Sequence, residues 1–176
     1  MIKMKQPSLV LHSCDVPGYK YEMWKSWKMP KGASANDVVY WINWAVDHSP
    51  EVALSNVIIN CHGSPGFLHV GGSGSGFGVG SVSVFNSLRT KSIGTIWIVA
   101  CEVAKDKAGG TSGKIFCSGL AKAAGCRVIA SDKKQHVDFV FEWISSPYGT
   151  IDDYESPVYE FSPAGSWKVW TPAGEN

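Results

Sequence analysis

Little net charge, no paired cysteines and no long apolar run characterise this chain. Sixteen Lys and Arg face fifteen Asp and Glu, a formal net charge of +1. That balance gives no electrostatic reason to expect nucleic acid or a membrane surface as partner. The five cysteines are odd in number and show no CxxC spacing, which argues against a closed disulfide framework and for a reducing, cytoplasmic setting. No apolar run approaches the roughly 18 residues of a spanning helix. The start, Met1 to Pro7, is charged but leads into no long apolar core, so no signal peptide is expected, although export by a signal-independent route stays open. There is no internal repeat and no linker, so residues 1–176 read as one domain. Nothing in the pattern sets an oligomeric state. With 44% hydrophobic and 18% charged residues, the chain has the make-up of a folded globular protein.

Two further absences narrow the chemistry. Gly71 to Gly80 (GGSGSGFGVG) holds six glycines, but no Lys-Ser/Thr follows, and the segment does not join a strand to a helix. It reads as a loop or as a rim beside a crevice, not as a phosphate cradle. Gly72-Ser73-Gly74-Ser75-Gly76 lies inside that loop, so it is not the nucleophile turn of a lipase, even though His62-Gly63 is similar to a lipase oxyanion motif.

What is present is a succession of short apolar runs. Ser8 to His12 reads as a first strand, Asp15 to Gly18 as a turn, and Tyr19 to Trp27 as a half-exposed strand. A helix is expected from about Asn36 to His48, capped by Ser34, with Val38, Val39, Ile42, Ala45 and Val46 on one face. Asn56 to Cys61 and Thr95 to Cys101 are continuous apolar runs, the pattern of strands buried on both faces. Gly66 to Val70 reads as a short strand and Val82 to Leu88 as a helix crossing back to the sheet. A loop over Lys105 to Gly110 precedes a helix from Ser112 to Ala124, with Gly125 as its terminator. Cys126 to Ser131 is a third core strand. Val137 to Trp143 alternates like an edge strand or a hairpin arm. Val158–Phe161 and Trp167–Trp170 flank Ser162-Pro163-Ala164-Gly165 as a C-terminal β-hairpin. Strands alternating with crossover helices predict an α/β three-layer sandwich with a mostly parallel central sheet.

Three of these strands end on reactive side chains: His62, Cys101 and Asp132. In open α/β sheets the carboxyl ends of the strands face the ligand crevice. If the His62 and Cys101 strands are neighbours, a thiol stands beside an imidazole, the minimal nucleophile–base pair. Gly63 has no Cβ, so its N–H can approach a substrate, and the N–H of Cys101 is a second donor for an oxyanion. Asp132 and Glu102 are candidate substrate-binding carboxylates, Asp132 for a basic side chain next to the scissile bond. A solvated strand end competes with that role. A metal site drawn from Cys61, His62, His69 and Cys101 is disfavoured, because adjacent Cys61 and His62 point to opposite faces of a strand. Cys61, Cys117 and Cys126 fit the core, and His69 fits a rim position.

The order of these motifs resembles a known family. An apolar strand ending in His-Gly, then an apolar strand ending in Ala-Cys, is similar to the caspase-like cysteine peptidases of clan CD. The resemblance runs over roughly residues 55 to 135, through VIINCHGSPGFLHVGG (57–72), IWIVACEVA (96–104), 113–125 and RVIASD (127–132), and it is nearest to bacterial caspase-like domains of large surface and toxin proteins. It implies a caspase-like fold and a cysteine endopeptidase acting on a peptide or protein substrate, with neither metal nor organic cofactor. His62 would be the base and Cys101 the nucleophile. The amides of Gly63 and Cys101 would form the oxyanion hole. Glu102-Val103 stands where caspases carry Arg-Gly, so the caspase pocket for aspartate is not implied. The alternative is a catalytically inactive interaction module of the same fold, or a domain of a secreted bacterial effector.

Overall fold

A computed structural model of the chain describes residues 1–16, 21–109, 112–135 and 146–171. The Val137–Trp143 stretch expected to be an edge strand lies outside the described residues, as do Pro17, Gly18 and Tyr19. Strand β1 (Ile2–Lys3) is followed by β2 (Ser8–His12), β3 (Lys25–Lys28), helix α1 (Ala35–His48) and β4 (Ala53–Asn60). Three short strands come next, β5 (His62–Ser64), β6 (Phe67–His69) and β7 (Phe77–Gly78), then a 3-10 helix (Val79–Leu88) and β8 (Ser92–Val99). Helix α2 (Gly113–Ala124), β9 (Arg127–Ser131), β10 (Thr150–Ile151), β11 (Val158–Phe161) and β12 (Trp167–Trp170) complete the described elements.

The central sheet has seven strands in the order β12-β11-β9-β8-β4-β2-β3. β9, β8, β4, β2 and β3 run parallel, and β11 and β12 are antiparallel additions at one edge. The molecule is thus a mixed α/β fold, and the β11–β12 hairpin closes as expected through Ser162 N–H donating to the Ser166 carbonyl at 2.8 Å.

The chain order dictates where the helices sit. From β3 onward each parallel strand is laid down further in one direction across the sheet. Right-handed crossovers then put every connecting helix on the same face. Val38, Ile42 and Val46 of α1, Phe85 and Leu88 of the 3-10 helix and Phe116, Leu120 and Ala124 of α2 all enter one buried cluster with Val57, Ile59, Ile96 and Ile98. Only β2 to β3 steps the other way, and Tyr21 and Met23 before β3 lie on the opposite face with Val10, Ile58, Trp97 and Ile129. Among the described residues that face is covered by strand and coil, including the β1·β10 ribbon. No helix among the described residues is long and apolar enough to cross a membrane.

Local chemistry explains the helix ends. The Asp37 carboxylate accepts from both the N–H (2.8 Å) and the hydroxyl (2.7 Å) of Ser34, which closes the first turn of α1. In α2, Ser112 accepts from the Ile115 N–H at 3.2 Å and donates to Asp106, while Lys114 reaches the same carboxylate at 2.9 Å. Gly125 ends α2 at φ 71°, the left-handed conformation.

The two Ser34 hydrogen bonds, the hydroxyl's first, hold the Asp37 carboxyl below the usual carboxylate range. Its folded-state affinity for protons is lowered, so its stabilisation is complete above that range and is lost as pH falls through the depressed value. Asp37→Asn is expected to lower unfolding stability by about 1 kcal/mol at neutral pH. The difference from wild type should be smaller at about pH 3 than at neutral pH, because Asp37 takes up its proton as pH falls. Urea denaturation at the two pH values measures this.

Candidate active site at the carboxyl ends of the parallel strands

β4 and β8 are neighbours in parallel register, with Asn60 paired to Val99. The Cys61 N–H carries the ladder one step further by donating to the Val99 carbonyl at 3.2 Å. His62 and Cys101 therefore each stand two residues beyond the same rung. Adjacent parallel strands lie about 4.8 Å apart, so this register delivers the imidazole and the thiol to one end of the sheet. Ala100, between β8 and Cys101, packs into the helix-side cluster.

Gly63 makes that approach possible. A Cβ there would stand 2.6 Å from the Cys101 carbonyl oxygen and 2.6 Å from Val103 Cγ2, closer than atoms can pack. The chain leaving His62 thus lies directly on the backbone of the Cys101 turn. Gly66 N–H tightens the contact by donating to the Val103 carbonyl at 3.0 Å. The next residue, Glu102, adopts φ 56°, a left-handed conformation that side chains disfavour, and its N–H donates to the Lys133 carbonyl at 2.8 Å. The Cys101 N–H has no hydrogen-bond acceptor among the described residues, which leaves it available to an oxyanion.

The imidazole is oriented by a third strand end. His62 Nε2 lies 3.2 Å from the Asp15 carbonyl oxygen. A carbonyl can only accept, so a neutral His62 carries its proton on Nε2 and has its lone pair on Nδ1. The turn that presents this carbonyl is clamped. Buried Ser13 donates its hydroxyl to the Asp15 carboxylate at 2.6 Å, and its N–H donates to the Asn60 carbonyl at 2.8 Å.

His69 stands opposite His62 on the β5–β6 ladder, and its Nε2 is 3.3 Å from the Ser64 hydroxyl. Burial first, then the charge of His62, lowers its proton affinity, with Asp15 acting in the opposite sense. The Cys101 sulfur is held by Gln135, whose N–H points at it from 3.3 Å and whose carbonyl is 3.8 Å away. No hydrogen bond joins the sulfur to His62.

The cysteines fall into two groups. Cys61, Cys117 and Cys126 are buried, as expected of core residues. Burial pushes all three thiols up, Cys126 to about 12. Cys101 and Cys14 are half-buried. Cys14 adjoins Asp15, and both lie beside Gly72. The glycine-rich segment accordingly forms a packed rim at this end of the sheet. A Cβ on Gly76 would fall 1.9 Å from the Leu68 carbonyl oxygen.

The two carboxylates singled out from the sequence sit differently. Asp132 accepts from the Tyr159 hydroxyl at 3.0 Å and lies 3.7 Å from Lys133 Nζ, so it is engaged by β11 and its own neighbour. Glu102 pairs with Lys105 at 2.6 Å, and the ammonium hydrogen bond holds its carboxyl below the usual range. Ser13, Cys14, Asp15 and Gln135 were not found by sequence reasoning. The signal for the first three was available, since they directly follow a strand of the same apolar type as β4 and β8.

Ser13→Ala removes the hydroxyl that fixes the Asp15 turn. In nitrogen-15 NMR spectra the neutral wild-type His62 is expected to be the Nε2–H tautomer. The variant is expected to show a mixture of both tautomers. An unchanged tautomer in the variant would show that Ser13 does not orient the ring. No protein-family model and no curated protein matches this chain.

Proposed function

We propose that the protein is a caspase-like cysteine endopeptidase in which His62 and Cys101 form a catalytic dyad. The observation that carries the reading is the shared register of the two strand ends, with Gly63 seated on the Cys101 turn. In this mechanism the Cys101 thiol proton passes to Nδ1 of His62, the nitrogen left free by the Asp15 carbonyl. The sulfur attacks the substrate carbonyl carbon, and the oxyanion is met by the Cys101 N–H and, as the second donor, the Gly63 N–H. The C–N bond breaks as the imidazolium returns its proton to the leaving amine. Water, deprotonated by His62, then hydrolyses the thioester and restores the thiol. Gln135 must move off the sulfur for substrate to approach. Glu102 and Asp132 are the carboxylates at hand for a substrate side chain, and each would have to give up its present partner, Lys105 or Tyr159. Five unpaired thiols fit a reducing compartment such as the cytoplasm.

One observation favours a second reading. Both hydrogen bonds of the sulfur go to Gln135, which suits a silent interaction module that keeps the fold. A diverse peptide library read by mass spectrometry separates the two. The peptidase reading expects cleaved products and an acyl adduct on Cys101, both abolished in Cys101→Ala and reduced at least about hundredfold in His62→Ala. Intact peptides, with no adduct under any condition that leaves the protein folded, would support the module instead.

A further inference from the structure

We propose that a groove between β3 and α1 binds proline-rich peptide segments in the polyproline II conformation. The groove has a volume of about 340 Å³ and is lined by Trp27, Lys28, Tyr40, Trp41 and Trp44. Trp27, Trp41 and Trp44 each pack one side against the helix-side core and are half-buried, and Tyr40 is 65% exposed. The rings are fixed before any ligand arrives. Trp27 meets Trp44 edge to face at 5.2 Å, and Trp44 stacks on His48 at 4.0 Å.

The hydrogen-bonding inventory of the wall points to the ligand. The indole N–H of Trp97 donates to Asn56 at 2.8 Å. Those of Trp27, Trp41 and Trp44 donate to nothing among the described residues, and none is a sealed buried atom, so all three reach solvent. Lys28 has no ion-pair partner among the described residues, and no carboxylate lines the groove. The wall side chains therefore offer ring faces and donors, with the Tyr40 hydroxyl alone able to accept as well.

A matching ligand is rich in acceptors, poor in donors and apolar along its flanks. Proline supplies a carbonyl without an N–H, together with a flat apolar ring, and a polyproline II segment is already extended, so little freedom is lost on docking. Oligosaccharides fit less well, because their hydroxyls would bring donors to side chains among which the Tyr40 hydroxyl alone accepts. A nucleic acid strand would need several cations along its path, and Lys28 is the one cation on the wall. The groove lies beyond β2 and β4 from β8, so this function is separate from the Cys101 cleft.

The test titrates decaproline into nitrogen-15-labelled protein and follows the indole cross-peaks of its eight tryptophans. Saturable shifts are expected at Trp27, Trp41 and Trp44, and the same shifts are expected in Cys101→Ala. Trp41→Phe keeps a ring but removes the donor, and it should weaken binding about fivefold. Tyr40→Ala, at an exposed position, should weaken binding without disturbing the fold. Decaproline that gives no saturable shift at millimolar concentration would overturn the proposal. So would undiminished binding by Trp41→Phe, or cellohexaose producing the same shifts.

Discussion

The pairing of β4 with β8 is the constraint on which the rest depends. Both strands are buried on two faces, so their apolar pattern alone does not set the register. Buried polar side chains supply the missing specificity. Asn56 of β4 accepts the Trp97 indole N–H of β8, and it donates to the Ser8 hydroxyl of β2 at 3.0 Å and to the Lys5 carbonyl at 2.9 Å. At the far end of the same strand Asn60 donates to His12 at 3.0 Å, and His12 Nε2 faces the Tyr21 carbonyl at 3.1 Å. A slip of one residue would leave these groups buried without partners, each at a cost of about 1–3 kcal/mol. With the register fixed, β2, β4 and β8 end together, and Asp15, His62 and Cys101 meet at one end of the sheet.

Burial then sorts the cysteines. Three thiols lie where an anion would be poorly solvated, and they behave as small apolar side chains. The two half-buried thiols, Cys14 and Cys101, stand beside the rim formed by the glycine-rich segment and the 132–135 turn. The same layout divides the acidic groups. The Asp15 carboxylate is held by Ser13, Glu102 is paired with Lys105, and Asp132 is hydrogen-bonded to β11.

Much of this was legible in the sequence where the determinants are local. Helical spacing places α1 and α2, Gly125 marks the end of α2, and the Ser162 to Gly165 turn marks the hairpin. The continuous apolar runs of β4 and β8 announce strands buried on both faces. Other features were not legible, because they depend on what meets what across the sheet. The position of the described helices on one face follows from strand order, which no local pattern encodes. Asp132 ends a core strand just as His62 and Cys101 follow theirs, yet Tyr159 captures it from β11, a partner 27 residues away. Gln135 reaches Cys101 over 34 residues of chain. Gly63 was read as a donor able to approach a substrate, and the structure adds a steric need for glycine, since a side chain there would strike the Cys101 turn.

The most direct measurement of the central claim is the pH profile of carboxamidomethylation by iodoacetamide, resolved for each cysteine by mass spectrometry. Cys14 serves as the internal reference, because it is the other half-buried thiol. A His62–Cys101 pair predicts that Cys101 reacts faster than Cys14 below about pH 8 and that His62→Ala slows Cys101 at least about tenfold while leaving Cys14 unchanged. Equal rates at the two sulfurs, with no response of Cys101 to the loss of His62, would contradict it.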